Sequence, residues 1–424
     1  MSSSSTHAAA GAAAPLRRTA EVVVIGAGVV GASVAYHLAR RGCRDVLVLD
    51  RAPSWGLGST GRATGGFRAQ FATAVNVRLS LLARDALRRF RDELDVDPGY
   101  RPSGYLFVAS RPEQLEPLRG AQRVQQAFGL HEAEEIGAED VVRLNPAVTG
   151  TDVVGGVFCG TDGFLRPLDI LRGYLRGAER CGATVRFGDG VRALHRAPDG
   201  RVREVETERG ERIACGAVVN AAGAWASAVA GLAGVPLPVR ALRRQVACLA
   251  APCPLPDDMP MTIFVEDGFH LRVRDGRVLI LAPPERATPA GTAAVGSDDA
   301  ALQGSAPPDE DPSIRFDERW LEGVTERARR RLPCLTGNAV ERARCWAGWY
   351  EMSPDGHAIL GPAADVPNLW FANGSSGHGV MHSPAIGQLV AEMVLDGRAT
   401  SLDVSALAPE RFARGKGITT PDLF

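Results

Sequence analysis

The feature that most constrains this chain is the segment 21–51, in which a strand, a glycine-rich turn, a helix and a second strand follow one another. Gly26 permits the tight turn, Gly28 lets the backbone approach a pyrophosphate, and Gly31 lets the helix pack closely on the strand. The second strand ends at Asp50, about 20 residues past the last glycine, where a carboxylate can bind a ribose diol. The helix N-terminus adds free N–H groups for the phosphates. The segment predicts an adenine dinucleotide and leaves FAD and NAD both open.

Length, charge and cysteine content narrow the classes of protein. With 424 residues, the chain suits two interleaved domains rather than one simple core. The net charge of −1 argues against a nucleic-acid-binding protein, which would usually carry a basic excess. The eight cysteines show no spacing typical of a metal site. We therefore expect no metal, free thiols in a reducing compartment and a cytoplasmic location.

The first 20 residues are rich in Ser and Ala and contain no acidic residue. We predict a disordered tail for 1–20, with a transit peptide for organelle import as the alternative. No run of 18 or more apolar residues occurs in the chain, so we expect no membrane span.

Hydrophobic periodicity predicts the elements that follow the opening segment. They are helices over 76–94, 113–128 and 168–180, strands over 105–108, 183–187 and 217–220, and a hairpin formed by 201–207 and 211–214. Two segments rich in Pro, Gly and Asp, 251–260 and 283–313, are predicted as loops away from the dinucleotide.

A second strand–loop–helix unit lies near the C-terminus. It consists of a strand over 368–371, a glycine-rich loop over 373–379 and a helix over about 384–395. A helix N-terminus at this place can direct its dipole at an electron-rich group, such as the pyrimidine end of a reduced flavin.

Four segments taken together resemble the D-amino acid oxidase superfamily of flavoenzymes. They are the opening segment, 58–68, 218–225, and 346–356 joined to 375–381. The resemblance covers about residues 20 to 400. It is closest to the branch that holds sarcosine oxidase β subunits, dimethylglycine and sarcosine dehydrogenases, and proline or hydroxyproline dehydrogenase subunits.

The resemblance implies FAD, a doubly wound α/β FAD-binding domain of Rossmann type that is discontinuous in sequence, and an α+β substrate domain on an antiparallel sheet. The FAD-binding domain is expected over 21–80, 150–225 and 336–400, the substrate domain over 81–149 and 226–335, and a C-terminal tail over 401–424. The implied reaction is oxidation of a secondary or tertiary amine, or of an amino acid. A hydride passes from carbon to the flavin N5, and the resulting imine hydrolyses in water.

The resemblance also implies which residues hold FAD. The loop after the opening segment would bind the pyrophosphate and the ribityl chain, two glycines after it would lie against the isoalloxazine, and a later strand residue would contact the adenine. Beside the three glycines of the opening segment, the expected FAD-binding residues are Asp50, Arg51, Ser59, Thr60, Arg62, Gly65, Gly66, Val191, Ala222, Gly223, Trp225, Gly377, His378, Gly379, Val380 and Met381.

Three residues are expected to serve the chemistry. Arg68 could clamp a substrate carboxylate, or could only bridge to acidic groups of the protein. His378 could bind the flavin or the substrate, or only its own loop. Tyr350, with Trp346 and Trp349, could wall the active site or simply pack within core strands.

The chain departs from other members of the superfamily at three points. Tyr350 stands where glycine oxidase-like members carry an arginine, which argues against glycine or sarcosine as the substrate. Met381 stands where monomeric sarcosine oxidases carry a lysine, which weakens the case for fast reaction with oxygen. A flavin-linked cysteine near Trp349 is missing, so we expect noncovalent FAD. Both O2 and a separate electron carrier stay open as the acceptor.

Two other hypotheses stay open. One is an FAD-dependent monooxygenase of similar architecture that is reduced by NAD(P)H. The other is a flavin-binding assembly or interaction factor without turnover. A simple NAD-dependent dehydrogenase fits least, because segments 58–68 and 373–381 have no place in it.

Overall fold

The computed structural model of the protein describes residues 19–148, 152–251, 255–283 and 316–419. In chain order, the strands are β1 (Thr19–Ile25), β2 (Val46–Asp50), β3 (Gly66–Phe67), β4 (Tyr105–Ala109), β5 (Ala133–Gly137), β6 (Gly155–Cys159), β7 (Gly163–Phe164), β8 (Thr184–Phe187), β9 (Val191–Arg196), β10 (Val202–Thr207), β11 (Arg212–Asn220), β12 (Arg240–Cys248), β13 (Met261–Phe264), β14 (His270–Arg274), β15 (Arg277–Leu281), β16 (Trp346–Met352), β17 (Ile359–Ala363) and β18 (Val366–Asn373). The helices are α1 (Val29–Arg40), α2 (Ser59–Arg62), α3 (Ala74–Leu94), α4 (Leu115–Ala127), α5 (Ala138–Leu144), α6 (Pro167–Arg180), α7 (Ala226–Gly231), α8 (Glu318–Arg331), α9 (Gly379–Asp396) and α10 (Glu410–Ala413).

The first sheet has the order β17-β18-β11-β1-β2-β8, and β9 and β10 attach to it through β11. β1 pairs in parallel with both β2 and β11, and β11 pairs in parallel with β18. α1 packs between α6 and α9 on one face. A Cβ on Gly387 of α9 would come 2.1 Å from the Ser33 Oγ of α1, so glycine permits the close approach of these helices. The predicted doubly wound α/β architecture is confirmed.

The second sheet has the order β16-β12-β15-β14-β13-β4-β6-β5 and is antiparallel apart from the parallel β4–β13 pair. Its side chains alternate between two faces. Tyr105 and Phe107 of β4 belong to the core shared with the first sheet, whereas Leu106 and Val108 pack in a separate core that includes Val324 of α8. The second sheet therefore has α8 on one face and the core of the first sheet on the other, where it can cover a site.

Two strands inside the ranges expected to form the FAD-binding domain belong to the second sheet. β6 pairs with β4 and β5, and β16 pairs with β12 along its whole length. The predicted ranges 150–225 and 336–400 are therefore wrong at these strands. The hydrogen-bond partner of a strand decides its sheet, and hydrophobic periodicity does not reveal that partner.

The helix predicted over 384–395 begins earlier, at Gly379, and passes through Pro384. Pro384 has no N–H to donate to the carbonyl of Val380 four residues before it. The Ser383 hydroxyl donates to that carbonyl instead, at 2.9 Å. This substitute hydrogen bond explains why the helix starts before its proline.

Both predicted tails also differ from the structure. Thr19 and Ala20 belong to β1, and residues 1–18 lie outside the described ranges. The C-terminal segment forms α10, and Arg411 of that helix makes a buried ion pair with Asp355 at 2.8 Å. The predicted loop over 283–313 falls outside the described residues except for Pro283.

None of the helices in the described ranges combines the length and the apolar character needed to cross a bilayer. The same part of the chain holds no group of three or more His, Cys, Asp or Glu residues placed to bind a metal ion.

Candidate active site

The glycine turn after β1 has the close contacts that its sequence predicts. Gly26 has φ +108°, and a Cβ on it would lie 2.4 Å from the Ala221 carbonyl oxygen. A Cβ on Gly31 would lie 1.9 Å from the Gly26 carbonyl oxygen. Around Gly28, in contrast, the nearest described atom is Thr60 Oγ1, at 3.6 Å from such a Cβ. The first and third glycines are packed against protein, and the second leaves space for a ligand.

Two side chains fix this turn. The Asp50 carboxylate accepts hydrogen bonds from the backbone N–H groups of Ala27 at 2.7 Å and Ala52 at 2.8 Å. Thr60 Oγ1 accepts from the backbone N–H of Val29 at 3.1 Å, in the first turn of α1. Asp50 thus stands at the end of β2 beside the turn, where its remaining lone pairs can accept from a ribose diol.

The segment after β11 closes the other side of the turn. The backbone N–H of Ala222 donates to the Asn220 side chain at 3.1 Å, and Gly223 has φ +55°. The Arg51 guanidinium lies 4.3 Å from the centre of the Trp225 ring. The indole N–H of Trp225 is buried and has no hydrogen-bond partner among the described residues. An orphaned buried donor is costly, and a bound acceptor would relieve that cost.

The turn before β9 brings Val191, the predicted adenine contact, near Asp50. The backbone N–H of Gly188 donates to the Ala52 carbonyl at 2.7 Å, and that of Asp189 donates to the Asp50 carbonyl at 3.0 Å. Val191 begins β9 two residues later. The open backbone at Gly28, the Asp50 carboxylate and the orphaned Trp225 N–H therefore converge from three sheet connections, as an adenine dinucleotide requires.

The side chains of α2 join the two sheets. Ser59 Oγ donates to the Trp349 carbonyl at 2.7 Å, and Arg62 donates to the Ala347 carbonyl at 3.2 Å. The indole of Trp346 donates in return to the Arg62 carbonyl at 2.7 Å. The expected binding of pyrophosphate and ribityl by Ser59 and Arg62 stays a prediction, and the structure shows these two side chains bound to β16.

Gly65 and Gly66 lie between the two sheets. A Cβ on Gly66 would come 1.9 Å from the Tyr105 hydroxyl oxygen, so only glycine fits beneath this ring. Arg272 of β14 donates to the Thr64 carbonyl at 2.5 Å, and burial lowers the pKa of its guanidinium to about 10. This buried cation holds the loop in place from the second sheet.

Arg68 and His378, 310 residues apart in sequence, meet in the structure. The Arg68 Nη2 lies 3.2 Å from His378 Nε2, and Nη1 donates to the Gln70 carbonyl at 2.5 Å. The guanidinium also stacks over the Phe71 ring at 3.9 Å. Arg68 is 8% exposed, and burial lowers its pKa to about 10, so the group stays charged at neutral pH.

The contact with Arg68 fixes the state of His378. A guanidinium has only donors, so His378 Nε2 is the acceptor and Nδ1 carries the proton. Burial and the charge of Arg68 hold the pKa of His378 well below its ordinary value. Behind it, His382 lies 2.8 Å from the Ser80 hydroxyl, and burial lowers its pKa to about 3. Both imidazoles are neutral at pH 7.

Asp162 holds the segment that follows β3. Its carboxylate accepts from the backbone N–H of Ala69 at 2.8 Å and from the Gln70 side chain at 3.1 Å. The carboxylate is fully buried, and burial raises its pKa to about 6. Gln70 also donates to the Tyr105 carbonyl at 3.1 Å. The network ties the Arg68 backbone to the second sheet.

Tyr350 packs on the loop before α9. A Cβ on Gly377, which has φ +90°, would come 2.4 Å from the Tyr350 ring. Next to it, burial raises the pKa of Glu351 to about 7, and its carboxylate accepts from the Ser375 backbone N–H at 3.3 Å. Tyr350 thus packs on the residue next to His378, and its role as a wall of the active site stays a prediction.

Gly379, Val380 and Met381 form the first turn of α9. A Cβ on Gly379 would contact Ser375 at 3.4 Å. The Met381 sulfur lies 3.4 Å from the Arg68 backbone nitrogen. The first turn of α9 therefore lies directly against the strand segment that carries Arg68.

The structure thus forms one cluster from Arg68, Tyr350 and His378 and a second around Gly28, Asp50 and Trp225. Sequence reasoning missed Asp162 and His382, which pack around the first cluster, and two cations of the second sheet. These are Arg272, bound to the Thr64 carbonyl, and Arg244, whose guanidinium lies 5.9 Å from the centre of the Tyr350 ring. The alternation of polar and apolar residues in 270–274 was the signal for Arg272, because a cation at an inward position of a strand needs a partner.

The chain is similar to a known protein family and to several known proteins. A family model described as FAD dependent oxidoreductase (DAO) matches residues 21–393. The chain is 29% identical to FAD-dependent oxidoreductase domain-containing protein 1 of Xenopus laevis, over 93% of the chain and 82% of that protein. It is 28% identical to the mitochondrial dimethylglycine dehydrogenase of Rattus norvegicus, over 95% of the chain and 45% of that protein. The structure of L-proline dehydrogenase from P. horikoshii is similar with a TM-score of 0.82 and 26% identity, over 95% of the chain and 100% of that structure.

Proposed function

Because the chain belongs to the DAO family of FAD-dependent oxidoreductases, we propose that it oxidises the C–N bond of an amine or amino acid that carries a carboxylate. The observation that supports this most is the buried Arg68 guanidinium, held by neutral His378 on the segment after Gly65 and Gly66. A buried cation binds an anion strongly because water does not screen the attraction. Two similar proteins are named for dimethylglycine and L-proline, and both compounds are amines with a carboxylate.

The residues that fit FAD are those around Gly28 for the dinucleotide and those around Gly65 and Gly66 for the ring. FAD, when bound, supplies an acceptor for a hydride. The substrate C–H bond breaks with its electron pair, and the nitrogen lone pair forms a C=N bond. Water then adds to this imine and the C–N bond breaks, giving a carbonyl compound and an amine. The two electrons leave through a separate acceptor.

Arg68 would bind the substrate carboxylate and so fix the position of the carbon beside it. His378 Nε2 accepts from Arg68 and therefore orients the guanidinium, while its Nδ1 keeps the proton. The reacting amine must be neutral, since its lone pair forms the new bond. The positive charge of Arg68 and the neutral imidazole favour that neutral form, because a like charge disfavours an ammonium nearby.

We further propose that an electron carrier, rather than O2, is the acceptor. Met381 stands where oxygen-reactive relatives in the resemblance carry a lysine, and its sulfur lies against the Arg68 backbone. The chain has a single lysine, Lys416, which is exposed in the C-terminal segment. No lysine of this chain is therefore available beside the ring to promote oxygen reduction.

Anaerobic mixing of the purified holoprotein with candidate substrates tests the proposal. N-methyl amino acids, proline derivatives and D-amino acids are each added, and loss of the visible flavin band is followed. Arg68→Met should raise KM about 100-fold or more, because a charge-assisted contact is lost. Arg78→Met is the matched control, since Arg78 also lies over a ring, that of Phe128 at 4.8 Å, but on the surface.

Bleaching by NADPH and not by any amine would favour a monooxygenase and refute amine oxidation. Correctly folded protein that neither binds FAD nor turns over would refute the enzyme assignment. Admission of air after bleaching tests the acceptor. Reoxidation much slower than turnover with an artificial electron carrier supports a dehydrogenase, and rapid reoxidation contradicts it.

A further inference from the structure

The second sheet turns one face toward α2, and strand register assigns side chains to that face. Arg244 lies opposite Gly348 in the β12–β16 pair. A Cβ on Gly348 would come within 3.1 Å of the Arg62 side chain, so this face looks toward α2. Opposed residues share a face, and side chains two positions apart share it as well. Arg244 and Tyr350 therefore both face the candidate active site.

β14 contributes to the same face. Its Arg272 side chain reaches the Thr64 carbonyl at 2.5 Å, which marks the side that looks toward the loop. His270 and Arg274 lie two positions before and after Arg272, so they share that side. His270 lies opposite Ile263 of β13, which in turn lies opposite Phe107 of β4.

The face has an excess of positive charge. Among the described strand residues on this face, one is acidic: Glu135 of the edge strand β5. Its carboxylate binds Arg119 at 2.7 Å. The arginines on the face are Arg240, Arg244, Arg272, Arg274 and Arg277, of which Arg277 is paired with Glu341 at 3.0 Å. A site bounded by such a face attracts anions and repels cations.

Two guanidinium groups lie near Tyr350, one in direct reach of its ring and one beyond His378. The Arg244 guanidinium is 5.9 Å from the centre of the Tyr350 ring. The same ring packs on Gly377, whose neighbour His378 lies 3.2 Å from Arg68. The Arg68–His378 pair and Arg244 are therefore two separate cationic positions along one wall.

His270 offers an acceptor between these two positions, because β14 lies between β4, whose Phe107 ring is 5.8 Å from the Arg68 guanidinium, and β12, which carries Arg244. Its Nδ1 lies 2.8 Å from the Gly268 carbonyl, which can only accept, so Nδ1 carries the proton and Nε2 has the free lone pair. Burial lowers the pKa of His270, and the charges of Arg244 and Arg68 lower it further. His270 is thus a neutral imidazole on the same face of the sheet as Arg244.

We propose that Arg244 forms a second anion subsite, that His270 Nε2 accepts the amine N–H, and that the substrate is a secondary amine with a carboxylate on each of its two N-substituents. The order of cation, acceptor and cation along the wall is complementary to carboxylate, N–H and carboxylate along such a molecule. The proposal rests on the proposed function, because it gives the same cavity a more specific substrate.

Binding of two inert ligands to the holoprotein tests the subsite without turnover. Glutarate has the shape of iminodiacetate with CH2 in place of N–H, and butyrate has the shape of N-methylglycine. Shifts of the visible flavin spectrum report their affinities. Glutarate should bind roughly tenfold tighter than butyrate, as expected for one further charge-assisted contact. Arg244→Met should abolish this preference and leave butyrate binding nearly unchanged.

Arg243→Met is the matched control, because Arg243 lies on the opposite face of β12, 3.4 Å from Asp317. Preservation of the glutarate preference in Arg244→Met overturns the subsite. If Arg244→Met loses FAD, the wild-type holoprotein still tests the subsite, because equal affinities for glutarate and butyrate would overturn the proposal. His270→Asn should weaken iminodiacetate binding and leave glutarate binding unchanged, and an equal effect on both would contradict the role of His270.

The two proposals fail in different ways. Preference for glutarate without bleaching by iminodiacetate would support the subsite and refute amine oxidation. Bleaching by N-methylglycine with no preference for glutarate would support amine oxidation and refute the subsite.

Discussion

Replacement of Arg411 by methionine removes one partner of the ion pair that holds the C-terminal segment against the loop before β17. Arg411 Nε lies 2.8 Å from Asp355 Oδ2 and Nη2 lies 3.0 Å from Oδ1, so the pair is bidentate. The two side chains are 5% and 6% exposed. The backbone N–H of Ile418 donates to the same carboxylate at 3.0 Å. Methionine fills much of the arginine volume but leaves the carboxylate buried without its counter-charge.

The expected loss follows from that burial. Removal of one partner from a buried pair costs about 3–5 kcal/mol, because the other charge stays desolvated. With an unfolding entropy of about 2.1 cal/mol/K per residue, each kcal/mol shifts the Tm of a chain of 424 residues by about 1 °C, so Arg411→Met should lower Tm by about 3–6 °C. Addition of Asp355→Asn to this variant should recover part of the loss, since no buried charge then remains.

Chemical and thermal unfolding at pH 7 measure the effect on the holoprotein. Arg41→Met is the matched control: Arg41 lies 2.7 Å from Asp396, but the side chains are 36% and 38% exposed. An exposed pair contributes only about 0–1 kcal/mol. Equal losses in the two variants would refute the reasoning, because burial would then make no difference.

Three further predictions concern acid stability and FAD. Burial raises the pKa of Asp355, but Arg411 and a backbone N–H outweigh this effect and hold the pKa below its ordinary value. The stability that the ionised carboxylate adds is therefore lost as the pH falls below about 4. Asp355→Asn should flatten the pH dependence of the unfolding midpoint in that range, and an unchanged slope would contradict this. Asp50→Ala should weaken FAD retention roughly tenfold or more, because the carboxylate that holds the Ala27 N–H is lost; flavin release followed by fluorescence measures it, and unchanged flavin content would count against it. Arg272→Met should loosen the loop over 64–66 and raise flavin fluorescence in the holoprotein, whereas an unaltered emission spectrum would show that the loop does not depend on this side chain.

The dinucleotide part of the site could be predicted because its requirements are local. Gly26, Gly28, Gly31 and Asp50 lie within one strand–helix–strand unit, in which Gly31 packs on Gly26 and Asp50 accepts from the Ala27 N–H. The close contact of Gly26 with Ala221 lies outside that unit. Two of the three glycines pack on protein as that pattern predicts. Short-range geometry of this kind can be recognised from residue spacing alone.

The substrate part could be predicted only in fragments. Arg68 and His378 were each singled out, but their contact joins residues 310 apart, and no spacing rule connects them. Arg244 and Arg272 look like ordinary strand cations in sequence. Their role depends on strand register, because the register decides which face of the sheet each side chain occupies. Register in turn depends on the pairing of distant strands.

The course of the first sheet has a consequence for how each molecule is made. β1 is made before its neighbour β11, which ends at Asn220, and β11 in turn pairs with β18, which ends at Asn373. The apolar strand β1 therefore waits until β18 has been made before its sheet is complete, and such contacts between distant segments form slowly. A nascent chain of this design needs shielding from aggregation during that interval. FAD binding therefore requires residues as far along the chain as β18, and a chain truncated before Asn373 would contain the glycine fingerprint without its complete sheet.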